Sequence, residues 1–322
     1  MSLGRRSALW GAAGLLAAGQ ARAEDWPTRP IRLIVPFAPG GASDLLARLV
    51  AERLAPALGQ PVVVENRPGA GATIGADAVA KARPDGTTFL YGTPGPQIVN
   101  PYLMRGLPYD AERDFTPIVS LVRAPNLLVV NPALPVRTVP ELIALAKAKP
   151  GELSFGSSGI GASSHLAGET LKLKAGIDVT HVPFRGSGPA IAELIAGRIS
   201  FLIDTLLLFT EHRASGALRA VAVASARKSS LMPDLPTIAE TIPGFDSFAF
   251  NYLAGPAALP ESVVVRLNRE TNRILADDTF RKRLTELGLE PIGGTPADTA
   301  ATIREEAGRA REVILAANIR AE

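Results

Sequence analysis

The hydrophobic positions of the chain follow two alternating spacings from residue 31 onwards. Ile31 to Val35 forms an apolar run, which is typical of a buried parallel strand, and the apolar positions from Leu45 to Leu54 share one face of a helix. Apolar runs at 62–64 and 88–91 predict further strands, and residues 74–82 predict a second helix. This alternation of strand and helix predicts a parallel sheet with helices on its faces.

A second unit of the same kind begins near Leu127. Thr138 and Glu141 have the spacing of a capping box, which predicts the start of a helix. These elements define a second α/β lobe, for which we predict the bounds 126–246. Its remaining strands are predicted at 153–156, 179–182, 199–204 and 218–224, and its remaining helices at 164–174 and 187–196.

The pattern changes after Gly244. An apolar segment at 248–254 precedes helices predicted at 261–276, 278–287 and 296 to about 316. Helices with an apolar face need a sheet to cover, and the first lobe is the expected host. We therefore predict a discontinuous first lobe of residues 24–125 and 247–322, with a ligand cleft between the two lobes.

The first two dozen residues have the three parts of a secretory signal peptide. Arg5 and Arg6 precede an apolar run at 8–18, and Ala21-Arg22-Ala23 is a small-residue cleavage pattern. We therefore predict export to the periplasm, with residues 1–23 removed by cleavage after Ala23. The paired arginines permit the twin-arginine route as well as the Sec route. A buried N-terminal helix is the structural alternative.

The composition narrows the class of protein. The 322 residues exceed one typical domain, and 47% hydrophobic and 20% charged residues are ordinary for a globular chain. The net charge is only +3 and the basic residues are scattered, so we expect no nucleic-acid partner. The sequence has no cysteine, which excludes disulfides, thiolate metal sites and cysteine nucleophiles. After the signal, no stretch reaches 18 apolar residues without a charge, so we expect a soluble mature protein.

Loops at the carboxyl ends of the predicted strands form the candidate ligand site, because parallel α/β sheets bind ligands there. Most of these loops are rich in Gly, Ser or Thr and several open helices, whose free N–H groups favour a carboxylate or a phosphate. Gly41 and Gly159 are expected to let the backbone approach the ligand closely. The candidate ligand-binding residues are Phe37, Ala38, Gly40, Gly41, Ser43, Asp44, Thr93, Pro94, Ser157, Ser158, Gly159, Ser163, His165, Phe184, Gly186, Ser187 and Asp204.

Several of these residues also have a purely structural interpretation. Any single Gly/Ser-rich loop can be only a turn and a helix cap. Asp204 would either contact the ligand or cap the next turn. His165 would either have a core or capping role or contact the ligand. Asp44 is expected to cap its helix, with Ser43 closer to the ligand.

The same segments resemble a known family. Residues 36–44 (PFAPGGASD), 64–71 (VENRPGAG) and 84–88 (PDGTT) resemble the Bug family, the extracytoplasmic receptors of tripartite tricarboxylate transporters. The resemblance extends to nearly all of the mature chain, with further similar segments at 157–165, 182–186, 197–201 and 264–268.

This resemblance implies a type II periplasmic binding protein fold. In this Venus-flytrap arrangement, two α/β lobes with parallel-rich sheets flanked by helices are joined by crossing strands. It implies a small organic carboxylate as ligand (mono-, di- and tricarboxylates, amino acids and aromatic acids occur in the family), held by loop amides and ordered water. It also implies delivery to the membrane permease subunits of the transporter. We further expect no cofactor, no metal and a monomeric receptor.

Two positions depart from the family pattern. Leu206 to Phe209 is apolar where relatives often have a small polar run, and Tyr252 stands near a position that often holds Trp. One interpretation is a less polar ligand, such as an aromatic or branched acid. The other is that Leu206 to Phe209 pack in the core.

No catalytic motif accompanies these features. The histidines lack metal-ligand spacing, and the chain has no nucleophile elbow, Walker loop or dinucleotide fingerprint. We therefore predict that the protein is not an enzyme. A serine hydrolase with a triad of Ser158, His165 and Asp204 is one alternative. A periplasmic sensor that presents its closed lobes to a signalling partner is the other.

Overall fold

The structure of the chain is a computed structural model that describes residues 26–184 and 186–320. The predicted signal peptide and its cleavage point after Ala23 lie outside these residues. The strands are β1 (Ile31–Val35), β2 (Val62–Asn66), β3 (Thr88–Gly92), β4 (Phe115–Val130), β5 (Ser154–Ser157), β6 (Thr180–Pro183), β7 (Phe201–Thr205), β8 (Arg219–Val223), β9 (Phe248–Pro256) and β10 (Glu290–Gly293). The α-helices are α1 (Ala42–Leu58), α2 (Thr73–Ala80), α3 (Asn100–Leu103), α4 (Val139–Ala148), α5 (Ser163–Ala175), α6 (Ser187–Ile195), α7 (Thr210–Ala214), α8 (Glu261–Ala276), α9 (Asp278–Glu286) and α10 (Pro296–Ala316).

Both halves of the fold contain parallel strands flanked by helices, as predicted. In the first half, β1 pairs in parallel with β2 and β3. In the second half, β5 pairs in parallel with β6 and β7. The strand order is β2-β1-β3-β9-β4-β7-β5-β6, with β8 and β10 also paired to β4.

The long strand β4 joins the two halves. Its first part pairs antiparallel with β9, as far as Pro125 opposite Phe248. Its last part, from Asn126 to Val130, pairs antiparallel with β7. Arg123 lies at this crossing, where its guanidinium contacts the Asp246 carboxylate at 2.5 Å and lies 3.7 Å from the Phe248 ring centre. Two neighbouring, paired strands therefore pass between the halves.

Apolar side chains cover both faces of each sheet, which explains why the strand segments are almost continuously apolar. On β1, successive side chains enter different clusters. Leu33 packs with Leu46 of α1 and Leu267 of α8, whereas Ile34 packs with Ile303 of α10. The C-terminal helices thus cover the sheet that contains β1.

Helix α1 differs from the sequence prediction at both ends. Its N-cap is Gly41, with extended φ and ψ, rather than Asp44. It also continues through Pro56 to Leu58, although a proline inside a helix usually kinks or ends it. Pro56 lies in the last turn, so its missing N–H removes one helical hydrogen bond just before Gly59 ends the helix in the left-handed conformation.

Other elements follow the sequence more closely. Thr138 and Glu141 form the predicted capping box at the start of α4. Within the described ranges, no helix combines the length and the apolar character needed to cross a membrane.

Candidate functional site

A cavity of about 490 Å³ lies at the carboxyl ends of the strands, with walls from both halves. Two segments that we call the first loop (residues 36–44) and the second loop (residues 157–165) both contribute to it. The first half supplies Phe37, Ala42, Ser43, Leu45, Leu46, Gly71, Tyr91, Thr93, Pro94, Gly95 and Asn100. The second half supplies Ser158, Gly159, Ile160, Gly161, Ala162, Ser163, Thr205 and Leu207, and further lining comes from Ala124, Ala249, Asn251, Leu287 and Leu289.

The structure brings part of the predicted site to this cavity. The predicted residues that line it are Phe37, Ser43, Thr93, Pro94, Ser158, Gly159 and Ser163. The other predicted residues are not among its described lining residues, namely Ala38, Gly40, Gly41, Asp44, Ser157, His165, Phe184, Gly186, Ser187 and Asp204. Ligand contacts by either group stay predictions.

Asp44 organises the first loop. Its carboxylate accepts hydrogen bonds from the Gly40 N–H and the Asn66 amide, both at 2.9 Å, and pairs with Arg48 at 3.0 Å. The bonds from Arg48 and Gly40 lower the pKa of the Asp44 carboxyl to about 2. Asp44 is the third residue of α1, so it caps by reaching back to Gly40 rather than from the N-cap position.

His165 has the equivalent place in the second loop. It is the third residue of α5, and its Nδ1 accepts a hydrogen bond from the Gly161 N–H at 3.1 Å. The Ser158 N–H donates to the Ser164 hydroxyl at 3.0 Å. Neutral groups therefore hold this loop, and the first N–H groups of α5 have no partner within the helix.

The ring of His165 stacks on His181, with 3.8 Å between ring centres. His181 Nε2 lies 2.7 Å from the Ser157 hydroxyl oxygen. Burial lowers the pKa of His165 to about 3 and that of His181 to about 4, and the second ring adds to the effect on His165. Both imidazoles are therefore neutral near pH 7 and support the second loop from behind, in line with a core or capping role.

Asp204 lies behind the cavity wall and is only 4% exposed. Its two oxygens accept hydrogen bonds from the Ser187 hydroxyl at 2.7 Å and the Thr205 N–H at 2.8 Å. Burial raises the pKa of its carboxyl. In this structure Asp204 fastens the start of α6 to the end of β7.

The hydrolase triad is not assembled. The Ser158 hydroxyl pairs with the Ser164 hydroxyl at 2.9 Å, His165 accepts from Gly161, and Asp204 is bonded to Ser187 and Thr205. Within the described residues, no hydrogen bond links Ser158, His165 and Asp204. A serine nucleophile without an adjacent base is not activated.

A close approach between the two halves lies at Gly161, a position that the sequence analysis did not select. Gly161 has φ +77°, and a Cβ there would lie 2.4 Å from Cδ2 of Leu103 in α3 of the first half. Gly41 has an ordinary φ of −82°, and a Cβ there would meet nothing closer than 3.8 Å. Gly159, at φ +140°, does require glycine.

The run from Leu206 to Phe209 divides between the core and the cavity, and the interpretation of a less polar ligand stays a prediction. It forms a short 3₁₀-helix in which Leu206 and Phe209 are buried in the core. Leu207 lines the cavity, and Leu208 is 37% exposed. Tyr252 lies in the core, where its hydroxyl donates to Gln97 Oε1 at 2.8 Å.

Sequence reasoning missed the lining residues that come from distant elements. Asn251 and Ala249 lie on β9, and Leu287 and Leu289 lie between α9 and β10. The apolar segment at 248–254 was recognised, but its alternation does not show which face meets a cavity. The leucines had no local signal, because Leu287 was assigned to the end of an ordinary helix and Leu289 to no element.

The cavity lining is mainly apolar, and the polar groups in it are uncharged. None of its described lining residues is Asp, Glu, Lys, Arg or His. Across the described ranges, no group of three or more His, Cys, Asp or Glu side chains is placed to hold a metal ion. Backbone amides, hydroxyls and amide side chains therefore supply its polar contacts.

A family model described as the tripartite tricarboxylate transporter family receptor matches residues 46–319. The chain belongs to this receptor family. BugT from Bordetella pertussis (strain Tohama I) is 38% identical over 289 residues, which cover 89% of each chain. The resemblance to Bug receptors is therefore confirmed.

Comparison with solved structures supports the same family assignment. Rpa4515 from R. palustris, solved with adipate, superposes with a TM-score of 0.82 at 39% identity, covering 92% of this chain and 100% of that one. MatC from Rhodopseudomonas palustris with bound malate gives 0.76 at 33% identity, covering 89% and 99%. The two-lobed binding-protein fold is confirmed. Members of the family are periplasmic solute receptors, so the predictions of a transport receptor and of a non-enzyme are also confirmed.

Proposed function

We propose that this receptor captures a small organic carboxylate in the cavity and delivers it to the permease subunits of its transporter. The proposal rests chiefly on the environment of Thr93. It is 5% exposed and lines the cavity, and its hydroxyl has no hydrogen-bond partner among the described residues. A buried hydroxyl without a partner is costly, and rotation of the Thr93 side chain towards the cavity would let a ligand oxygen satisfy it.

The helix N-termini support the same proposal. The residues at the starts of α1 and α5, Ala42 and Ser163, both line the cavity. The amides at both helix starts can donate to a negative group, and a charged acceptor strengthens each hydrogen bond. The dipole of α5 also favours a negative group, because no acidic side chain lies in its first turn. The ligands of two related receptors, adipate on Rpa4515 and malate on MatC, are carboxylates as well.

The proposal includes the predicted organisation of the mature protein. The lobes would comprise residues 24–125 with 247–322 and residues 126–246. The receptor would act as a monomer in the periplasm after cleavage behind Ala23. The intact mass of the exported protein tests the cleavage point, since an N-terminus other than Glu24 would contradict it.

The central test is a thermal-shift and calorimetric screen of carboxylates that includes adipate and malate, each paired with its neutral amide. A ligand at 100 times its Kd adds about 2.7 kcal/mol to the free energy of unfolding, which is a clear shift in Tm. We expect acids to bind and their amides to fail. A panel in which no acid shifts the Tm would contradict the proposal.

Thr93→Val tests whether the Thr93 hydroxyl binds the ligand, because the substitution removes the hydroxyl with little change in side-chain volume. We expect about tenfold weaker binding of the best acid, equivalent to one hydrogen bond to a charged group. Thr180→Val, on the exposed edge of β6, is the matched control and should bind as wild type. Equal affinity of Thr93→Val and wild type would remove Thr93 from the site.

A further inference from the structure

One part of the cavity is apolar, and we call it the leucine end: Leu207, Leu287 and Leu289. Its members come from opposite halves of the molecule. A Cβ on Gly288, between the last two leucines, would lie 3.4 Å from Cβ of Leu207. The 3₁₀-helix of the second half therefore packs directly against the turn after α9.

Two of the polar lining segments lie close together across the cleft. Pro94, next to Thr93, and Ser163 at the start of α5 also share a second, smaller cavity of about 70 Å³. They are therefore neighbours across the cleft. Thr93, with its buried hydroxyl that lacks a partner, and the start of α5 thus form one polar end. This end is suited to one carboxylate group.

The first loop is less suited to a second carboxylate. The ionised Asp44 already occupies the first turn of α1, where it offsets the positive end of the helix dipole. A carboxylate at the leucine end would meet no described charged side chain, and an ionised group in apolar surroundings without a partner is strongly disfavoured.

We propose that the leucine end selects acids with one carboxylate and an apolar body, such as branched, alicyclic or aromatic monocarboxylates, and that Leu207 is the residue that determines this specificity. The inference rests on the proposed function, since it assumes that a carboxylate binds in this cavity. The carboxylate lies at the polar end with Thr93 and the start of α5. The apolar body lies against Leu207, Leu287 and Leu289.

A homologous series on the wild-type protein tests the inference without any mutation. Calorimetry would compare straight-chain monocarboxylates from propanoate to hexanoate with dicarboxylates of the same length. Each added methylene that becomes buried should tighten binding by about fourfold. A dicarboxylate should bind on the order of 100-fold more weakly than the monocarboxylate of equal length, because its second charge is buried without a partner.

Leu207→Asn tests the specificity residue, and the adjacent Leu208→Asn is its matched control. Leu208 is in the same 3₁₀-helix but is 37% exposed and is not among the described lining residues. We expect Leu207→Asn to weaken hexanoate binding by at least about tenfold while propanoate changes by less than about threefold. Leu208→Asn should leave the whole series unchanged.

The outcomes separate the two proposals. Binding of dicarboxylates as tight as that of apolar monocarboxylates would overturn the inference and leave the proposed function in place. Affinity that does not rise along the series would do the same, whether or not Leu207→Asn folds. Failure of every acid to bind would overturn both.

Discussion

The first and second loops have the same architecture but different charge. In each, the third residue of the following helix accepts a hydrogen bond from the N–H four residues before it, from Gly40 to Asp44 and from Gly161 to His165. Asp44 is an ionised carboxylate paired with Arg48, whereas His165 is a neutral imidazole stacked on His181. Both side chains have a lowered pKa, so both remain hydrogen-bond acceptors at neutral pH.

This difference shows how one loop design can be used in two ways. The carboxylate of Asp44 offsets the positive N-terminus of α1, so the first loop is nearly neutralised before any ligand arrives. The imidazole of His165 shapes the second loop without adding a charge. The N-terminus of α5 has no acidic side chain in its first turn, so we expect the second loop to be the stronger anion-binding side.

The largest expected effect concerns the histidine pair and pH. A histidine whose pKa is lowered on folding binds its proton in the unfolded state first, so stability falls as the pH drops below about 6.5. With pKa values of about 3 and 4, His165 and His181 should each lower the free energy of unfolding by about 2 kcal/mol at pH 5 relative to pH 8. Urea unfolding across this range measures the loss.

His181→Gln should flatten this dependence, because it removes one of the two groups and can keep a hydrogen bond to Ser157. His212→Gln, in α7 and outside the stack, is the control and should keep the wild-type slope. If His181→Gln and wild type lose stability equally between pH 8 and pH 5, the histidines are not the cause.

The next largest effect concerns the first loop and its carboxylate, Asp44. Asp44→Asn removes a carboxylate whose pKa is lowered to about 2, which corresponds to about 2 kcal/mol of stability at pH 7. In the wild type this contribution is present above about pH 4 and is lost as the pH falls through about 2. Glu52→Gln, exposed on the same helix, should change the unfolding free energy by less than about 0.5 kcal/mol.

Substitutions at Gly40 and Gly161, whose N–H groups donate to Asp44 and His165, distinguish the effect of local backbone strain from that of contact between the halves. Gly40 has φ +85° with open space around it, whereas Gly161 has φ +77° and closely approaches Leu103. Gly40→Ala should cost about 1 kcal/mol from its conformation alone. Gly161→Ala should cost more and should also weaken ligand binding, because the halves would have to separate slightly. Equal effects on affinity would mean that the contact with Leu103 is unimportant.

The smallest effect concerns Arg48, which is 53% exposed. Arg48→Gln should lower stability by less than about 1 kcal/mol, as expected for an exposed ion pair. It should also weaken carboxylate binding slightly, because Asp44 would lose its countercharge near the cavity. Salt titration of the affinity checks this, since the wild type and the variant should converge at high ionic strength. Tighter binding by the variant would contradict the role assigned to Asp44.

The sequence predicted those parts of the fold that depend on local pattern. The capping box at Thr138 and Glu141 and the bounds of α8 were recognised, because caps and helical periodicity act within one or two turns. The start of β4 at Phe115 was missed, since its partner β9 lies more than a hundred residues away. Strand pairing over such a distance leaves no local mark on either segment.

The candidate site was likewise predictable from the sequence only in part. Glycine- and serine-rich segments identified both loops. The hydrogen bonds from the Gly40 N–H to Asp44 and from the Gly161 N–H to His165 depend on rotamers that composition does not reveal. Leu207 could not be separated from Leu206 by sequence, because a 3₁₀-helix turns each residue by about a third of a circle. Only the structure shows which leucine meets the cavity.

The paired crossing of β4 and β9 has a mechanical consequence. Backbone hydrogen bonds tie the two strands together as far as Pro125 and Phe248, and Arg123 adds its contact with Asp246 at the same place. Such a ribbon resists sliding and stretching but bends and twists readily. We therefore expect any relative movement of the halves to be a bend or twist of this ribbon, so that the entropy lost when a ligand holds the halves together should be small.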